Sequence, residues 1–221
     1  MSGAKLIDFN FIELSESQML VRSKTFNSEL QKRRTIRDFS TKPVSLEIIN
    51  QCLLAAGSSP SGANKQPWKF VVITDQMLKT KIRYAAELVE KEFYEEKAPE
   101  EWITALAPIG TDKSKPFLEE APVLIAIFEE KYSVLPNGEK SKNYYTRESV
   151  GIATGMLINA IHNCGLASLT HTPSPMGFLS KILDRPENER PFLILVVGYP
   201  KPNTQVPDIK RKALEEIAIY K

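Results

Sequence analysis

Residues 58–75 read SSPSGANKQPWKFVVITD. The first ten residues are a dense cluster of turn-forming types, and residues 70–73 are an apolar run typical of a buried strand. Before the cluster, Ser45 is a candidate N-cap for a helix that ends near Gly57. After it, residues 76–96 follow a helical period. The stretch therefore predicts helix, loop, strand and helix in order, with a loop whose small residues let its backbone approach a ligand closely.

The rest of the chain combines helical periods with short apolar runs. Residues 97–118 are polar, are interrupted by three prolines and a glycine, and show no clear element. Such a segment is typical of a lid or binding loop. From these patterns we expect an α+β or α/β fold in one layered domain that spans residues 1–221. Further helices are predicted at residues 15–32, 144–163 and 176–184, and further strands at residues 123–128, 166–170 and 192–197.

Composition excludes several classes of protein. The chain has 221 residues, of which 42% are apolar and 25% charged, and its formal net charge is +2. So small a charge gives no reason to expect a nucleic-acid or acidic membrane partner. The sequence shows neither a membrane-spanning run nor a signal peptide, so we expect a soluble, cytoplasmic protein. Cys52 and Cys164 lie in apolar helical patterns and are interpreted as buried free thiols.

Two basic segments are candidates for phosphate binding. Residues 33–37, RRTIR, place three guanidinium groups and a hydroxyl within five residues, and arginine presents a planar fork of donors. Residues 210–212, KRK, lie in a tail stiffened by prolines. Taken alone, each segment also fits a solvated charge run, so neither identifies a site by itself.

Reactive side chains of the usual kinds do not form a recognisable motif. Thr170 and Thr172 lie at the end of a predicted strand, where hydroxyls commonly face a site, but the histidine between them is more typical of a structural residue than of a catalyst. No metal-ligand spacing is present, and no nucleophile elbow or Cys/His arrangement stands out. A bound cofactor would therefore have to supply the reactivity.

Three side chains could hold both charges of a free amino acid. Glu90 and Tyr94 are four residues apart and share one face of a predicted helix, and Lys115 lies in the polar segment that follows. A carboxylate would pair with an ammonium group, and a lysine with a carboxylate. Glu90 also lies in a run of acidic residues, so on this evidence alone a solvated helix face is the favoured explanation.

Together, RRTIRDF, SSPSGANKQPWKFVVITD, ESVGIATGMLINAIHNCGL, THTPSP and VVGYP…VPDIKRK resemble the nitroreductase-like flavoproteins over nearly the whole chain. Glu90, Tyr94 and Lys115 at their spacing look like the iodotyrosine deiodinase branch. The resemblance implies an α+β, three-layer fold with a central mixed sheet flanked by helices. It also implies a homodimer that exchanges C-terminal arms, with a substrate lid at about residues 90–115 and a dimer-embracing tail at about residues 200–221.

The resemblance also implies an FMN cofactor and assigns roles around it. The Thr172 hydroxyl would donate a hydrogen bond to flavin N5, an interaction that favours single-electron steps. Thr172 is therefore the expected catalytic residue. In this family the loop residues among these contacts come from the partner subunit, so the site would form only in a dimer. The expected FMN contacts are Arg33, Arg34, Thr35, Arg37, Pro60, Ser61, Gly62, Thr170, His171, Thr172 and Arg211.

For the substrate, the resemblance implies a halotyrosine. Glu90 and Lys115 would bind the zwitterion with Tyr94, and the backbone N–H of Ala63 would meet the phenolate oxygen. Asn64 stands where members of the family often carry histidine, so the expected contact there is the Ala63 backbone. The implied reaction is reductive dehalogenation to L-tyrosine and halide, with NAD(P)H or a separate reductase or ferredoxin as electron donor and no metal.

Two other functions remain open at this point. A general nitro-, quinone or flavin reductase of the same fold would turn over nitroaromatics and be indifferent to loss of the Glu90 charge. A flavoprotein that senses tyrosine-like ligands would bind them tightly and release almost no halide.

Overall fold

The computed structural model describes residues 3–221. Two compact units divide the chain, one ending at Arg33 and the other running from Arg34 to Lys221. Within the described residues, no helix is both long enough and apolar enough to cross a membrane.

The first unit contains one helix, α1 (Glu16–Lys32). It begins at Ser15, whose hydroxyl accepts a hydrogen bond from the N–H of Gln18 while the Gln18 side chain accepts one from the N–H of Ser15. This reciprocal cap satisfies donors that the first helical turn leaves free. None of the residues of α1 is buried.

The second unit is built on a four-stranded sheet. In the order β1, β2, β6, β5, neighbouring strands pair antiparallel, and a parallel pairing enters through a bridge between Thr35 and Ser168. The four strands are β1 (Trp68–Ile73), β2 (Val123–Glu130), β5 (Ala167–His171) and β6 (Glu189–Gly198). A separate hairpin pairs β3 (Tyr132–Val134) with β4 (Lys140–Lys142), and the sequence patterns did not predict it.

Helices cover both faces of the sheet. Leu124, Ala126 and Phe128 of β2 belong to one buried core, while Val123 and Ile125 belong to the other, as strand alternation requires. The predicted three-layer α+β arrangement is therefore confirmed. One face packs against α3 (Gln76–Glu92), α5 (Phe117–Glu120) and α7 (Gly177–Ile182), and the other against α2 (Leu46–Gly57) and α6 (Thr146–Asn163).

Local signals placed several boundaries well. Ser45 caps α2 through a hydrogen bond from the N–H of Glu47, as predicted. Cys52 is buried and Cys164 is exposed, so the expectation of two buried thiols is wrong for Cys164; both are free. Cys164 follows the last residue of α6, where the helical apolar face no longer applies.

The segment at residues 97–118 is more ordered than the sequence suggested. It contains α4 (Glu100–Leu106), a 3₁₀ turn (Ala107–Ile109) and the start of α5. A π-helical turn (Phe93–Lys97) joins α3 to this segment. The expectation of a stretch without regular elements is therefore wrong, because Pro99 precedes the first turn of α4 and does not interrupt the helix.

The C-terminal tail is largely irregular. It contains a short helix, α8 (Leu214–Ile217). Ile219 and Tyr220 beyond it are exposed.

Candidate active site

A cavity of about 340 Å³ opens between the end of α3, the helical segment that follows it, and the end of β5. Polar and aromatic side chains share its wall. Its lining includes Arg37, Glu90, Phe93, Tyr94, Trp102, Thr111, Lys115, Phe117, Thr170, His171 and Thr172. The structure thus brings the three predicted substrate residues on α3 and the lid together with predicted cofactor contacts on β5.

Glu90 and Lys115 form a buried ion pair in this cavity. Lys115 Nζ lies 3.3 Å from Glu90 Oε2, and the Lys115 and Glu90 side chains are 3% and 14% exposed. Burial raises the pKa of Glu90, and the nearby ammonium of Lys115 opposes that rise. An amino-acid zwitterion carries the same two charges. Its ammonium can replace Lys115 as the partner of Glu90, and its carboxylate can replace Glu90 as the partner of Lys115.

The segment before α5 folds around the Lys115 side chain. Its ammonium donates to Thr111 Oγ1 at 3.1 Å and to the carbonyl oxygen of Asp112. The backbone N–H of Lys115 donates to Glu87 Oε1 at 2.7 Å. Lys115 is therefore held to α3 through both its backbone and its side chain.

Tyr94 stands over the same ammonium. Lys115 Nζ lies 5.5 Å from the Tyr94 ring centroid, within the range of a cation–π contact, and the Tyr94 hydroxyl donates to the Thr111 carbonyl oxygen at 3.4 Å. Burial, and then the charge of Glu90, raise the pKa of Tyr94. The phenol therefore stays neutral near pH 7.

Arg37 brings an unsatisfied donor to the cavity. Its Nε atom is buried and has no hydrogen-bond partner within residues 3–221. Burial lowers the pKa of the guanidinium, with an opposing effect from Tyr94. A buried donor without a partner costs free energy, so this position fits a ligand that presents an acceptor.

Strand alternation directs the two polar residues at the end of β5, Thr170 and His171, to opposite faces of the sheet. Leu169 and His171 are buried on the face that packs against α3 and α5, and their partners on β6, Val196 and Ile194, belong to that same core. Thr170 is exposed on the opposite face. His171 therefore points toward the layer that carries Glu90, and Thr170 does not.

The predicted loop contacts do not reach this cavity. Residues 60–64 line none of it, although the resemblance assigns four of them to the flavin or substrate. Ala63, Asn64 and Gln66 have φ near +50°, which is costly for residues other than glycine. Ser61 Oγ accepts a hydrogen bond from the N–H of Gln66 at 2.9 Å and helps to hold this conformation.

Gly62 is needed for the close approach of this loop to the two residues that precede α6. A Cβ atom there would lie 2.8 Å from the carbonyl oxygen of Tyr144 and 3.0 Å from the Tyr145 ring. The loop is therefore held in place by close packing, although it does not line the cavity of its own chain.

The predicted phosphate-binding residues have different environments. Arg34 donates from Nη2 to the carbonyl oxygen of Pro207, and Thr35 pairs with Ser168 at the edge of β5. Arg33 follows α1 in the first unit, where its N–H donates to the Leu30 carbonyl oxygen at 3.1 Å. Arg211 is exposed in the tail. Arg37 is the member of this set that lines the cavity.

Several residues of the cavity wall were not predicted from the sequence. Phe93, Trp102 and Phe117 provide its aromatic side, with the Phe93 and Trp102 rings 5.6 Å apart and nearly perpendicular. Thr111 holds both Lys115 and Tyr94. The aromatic residues inside a polar, glutamate-rich segment were an available signal, because such residues seldom remain solvated without a reason.

Known proteins similar to this chain in sequence belong to one family. The sequence model of the Nitroreductase family matches residues 30–199. An iodotyrosine deiodinase from Haliscomenobacter hydrossis is 52% identical over 200 residues, covering 90% of each chain. Iodotyrosine deiodinase 1 from Rattus norvegicus is 41% identical over 212 residues, which are 96% of this chain and 74% of that protein.

A solved structure shows the same likeness in three dimensions. It is the crystal structure of oxidized iodotyrosine deiodinase bound to FMN and 3-iodo-L-tyrosine, with a TM-score of 0.74 and 34% identity, covering 86% of this chain and 96% of that one. By sequence and by fold, the chain belongs to the nitroreductase family of oxidoreductases, in its iodotyrosine deiodinase branch.

Proposed function

We propose that the chain is an FMN-dependent enzyme that converts 3-iodo-L-tyrosine and related halotyrosines to L-tyrosine and halide. The observation that carries the proposal is the buried Glu90–Lys115 pair in a cavity that also holds the free donor of Arg37. The reaction replaces a carbon–halogen bond with a carbon–hydrogen bond and consumes two electrons and one proton. Reduced FMN, when bound, supplies the electrons in single steps.

Substrate binding exchanges one ion pair for two. The ammonium of the amino acid pairs with Glu90, and its carboxylate pairs with Lys115, so each buried charge keeps a partner. Such an exchange avoids the large cost of leaving a buried charge unpaired. A ligand that lacks either charge would leave Glu90 or Lys115 without its new partner, which makes the cavity selective for free amino acids.

The substrate ring would enter as its phenolate. A halogen beside the hydroxyl lowers the phenol pKa, whereas plain tyrosine, with a pKa near 10, stays mostly neutral. The backbone N–H of Ala63 is the proposed donor to the phenolate oxygen, contributed by the other subunit of a homodimer. A preference for halotyrosine over tyrosine follows from this difference in ionisation.

On the flavin side, the chain offers donors to an electron-rich ring and to a phosphate. Arg37 Nε is proposed to meet the polar edge of the isoalloxazine, and the Thr172 hydroxyl to donate to flavin N5. Arg33, Arg34, Thr35 and Arg211 are proposed for the phosphate end. Residues 60–62 of the partner subunit would complete the flavin pocket, and this accounts for a loop that lines no part of the cavity in its own chain.

Anaerobic mixing of the reduced, FMN-loaded enzyme with 3-iodo-L-tyrosine tests the proposal. We expect flavin oxidation and release of one iodide per flavin. A Thr172→Ala variant should slow the electron-transfer steps while it retains halotyrosine binding, and Thr172→Ser should restore most of the rate because it keeps the hydroxyl. Fast turnover of nitroaromatics with no iodide release would favour a general nitro- or quinone reductase. Tight halotyrosine binding with no halide release would favour a sensor.

The electron donor is tested separately with the same enzyme. NAD(P)H is the simplest candidate, and a reductase or ferredoxin is the alternative. Under anaerobic conditions, rapid flavin reduction by NADH or NADPH alone would identify the nucleotide. Reduction that requires an added ferredoxin system would identify a protein donor.

A further inference from the structure

His171 is a buried polar residue of the cavity to which no purpose on the substrate side has been assigned. The residue is 7% exposed, and its Nε2 atom has no hydrogen-bond partner in the part of the chain that the structure describes. That atom lies 4.0 Å from Glu90 Oε1, just beyond hydrogen-bond distance. A buried donor or acceptor in this position is costly unless a bound state gives it a partner.

The surroundings of His171 fix its orientation. Its ring packs edge-on against Phe117 of α5, with the centroids 5.5 Å apart. Alternation along β5 directs it away from the face of Thr170 and toward α3. It therefore faces Glu90 and the Lys115 side chain.

The two oxygens of Glu90 have different neighbours. Oε2 pairs with Lys115 Nζ at 3.3 Å, and Oε1 faces His171 Nε2 at 4.0 Å. Burial, and then the charge of Lys115, lower the pKa of His171 to about 3, so the imidazole is neutral near pH 7. A neutral ring can donate one hydrogen bond to a carboxylate without adding a charge that would compete with an incoming ammonium.

We propose that His171 is a positioning residue for the substrate ammonium, and that it acts by donating from Nε2 to Glu90 Oε1. This inference rests on the proposed function, because it is needed when Lys115 leaves Glu90 for the substrate carboxylate. At that moment Glu90 exchanges Lys115 for the substrate ammonium as its charged partner. The hydrogen bond from His171 holds the carboxylate in place and keeps its second oxygen directed at the ammonium.

This role differs from the flavin contact that the sequence resemblance suggested for the same residue. A flavin contact predicts that substitution weakens FMN binding. The positioning role predicts that FMN binding is unchanged and that the effect falls on ligands with an ammonium group.

The experiment titrates FMN-loaded wild type, His171→Leu and His171→Gln with two ligands. One is 3-iodo-L-tyrosine, and the other is 3-(4-hydroxy-3-iodophenyl)propionate, which lacks the amine. We expect His171→Leu to raise the Kd of 3-iodo-L-tyrosine about tenfold and to leave the amine-free ligand within about twofold. The glutamine variant keeps an N–H donor at similar reach and should recover most of the affinity. Retained FMN absorbance shows that each variant is folded and loaded.

A double-mutant cycle with Glu90→Gln tests whether His171 acts through Glu90. If it does, His171→Leu should cost less than about twofold further affinity in the Glu90→Gln background. Equal weakening of both ligands, loss of FMN, or fully multiplicative losses in the cycle would overturn the positioning role. A wild type that neither binds 3-iodo-L-tyrosine nor releases iodide would instead overturn the proposed function, and the inference with it.

Discussion

The lid at about residues 90–115 and the loop at residues 60–66 are both expected to touch the substrate, but they are organised in opposite ways. The lid pairs its buried charges within one chain, through Glu90 and Lys115. The loop holds three residues other than glycine at positive φ and lines no part of the cavity in its own chain.

The difference separates two requirements of the site. In the proposed function the lid recognises the charges of the substrate, and side-chain substitutions in one subunit can test this. The loop is proposed to present the Ala63 N–H to the substrate, and it carries local backbone strain at positive φ while Gly62 packs closely against Tyr144 and Tyr145. Variants in the lid should therefore act on the substrate, and variants in the loop on stability and flavin.

Removing the lid cation should have the largest effect. Lys115→Met leaves the substrate carboxylate without a partner and should weaken 3-iodo-L-tyrosine binding by about a hundredfold or more, while FMN stays bound. Lys113→Met is the matched control, because Lys113 pairs with Glu95 at 2.6 Å on the exposed side of the same segment. It should change the Kd by less than about twofold. Similar losses for the two variants would show that the segment responds as a whole and that its buried charge has no special role.

Replacing the loop glycine, Gly62, by alanine should have the next largest effect, in this case on stability. Gly62→Ala places a methyl group 2.8 Å from the Tyr144 carbonyl oxygen and should lower the free energy of unfolding by about 1–3 kcal/mol. Gly57→Ala adds the same methyl where no atom lies within 4 Å and serves as the control. Chemical denaturation measures both. If Gly62→Ala binds FMN with wild-type affinity, the loop does not contribute to the flavin site, and the proposed difference between lid and loop is wrong.

The pH dependence of stability should report on the buried side of the lid. His171 has a folded pKa of about 3, below its ordinary value, because it is buried. Between that value and about pH 6.5 the unfolded chain takes up a proton that the folded chain does not, so stability falls as the pH falls. We expect His171 to make the free energy of unfolding about 2 kcal/mol lower at pH 5 than at pH 7.5.

Denaturation of wild type and His171→Gln at both pH values isolates this contribution. The variant should lose less stability on acidification, since it has no proton to take up. If wild type and variant lose the same stability on acidification, burial does not lower the pKa of His171 in the folded protein.

Relief of loop strain should be the smallest effect. Ala63 has φ of 49°, and glycine adopts this region without a Cβ penalty. Ala63→Gly should therefore raise the free energy of unfolding by up to about 1 kcal/mol, less the entropy that glycine loses on folding. The matched control is Ala55→Gly, the same substitution inside α2, which should destabilise by about 1 kcal/mol. Chemical denaturation compares the two, and a loss of stability in both variants would show that the loop is not strained at position 63.

Particular residues show what the sequence could predict. Ser45 and Gly57 marked the ends of α2 because cap signals are local. The apolar runs of β2 and β6 identified the central strands because strands buried on both faces need continuous hydrophobicity. Four substrate residues were predicted from their chemistry and the family resemblance. The structure places Glu90, Tyr94 and Lys115 on one cavity, whereas Ala63 does not line it.

Other features depend on tertiary contacts that no local pattern records. The prolines at positions 99, 108 and 116 obscured α4 and α5, although two of them precede helical first turns. The hairpin of β3 and β4 is short and polar, so its signal is weak. The ion pair between Glu90 and Lys115 joins residues whose proximity requires the lid to fold back on α3, and the spacing in sequence does not determine that.

The most direct test of the central claim is a titration of the FMN-loaded enzyme with 3-iodo-L-tyrosine, followed by flavin fluorescence, for wild type, Glu90→Gln and Glu95→Gln. The claim is that the buried Glu90–Lys115 pair recognises the zwitterion. It predicts tight binding by wild type and Glu95→Gln, and at least about thirtyfold weaker binding by Glu90→Gln with FMN unchanged. Equal affinity of Glu90→Gln and wild type would contradict it.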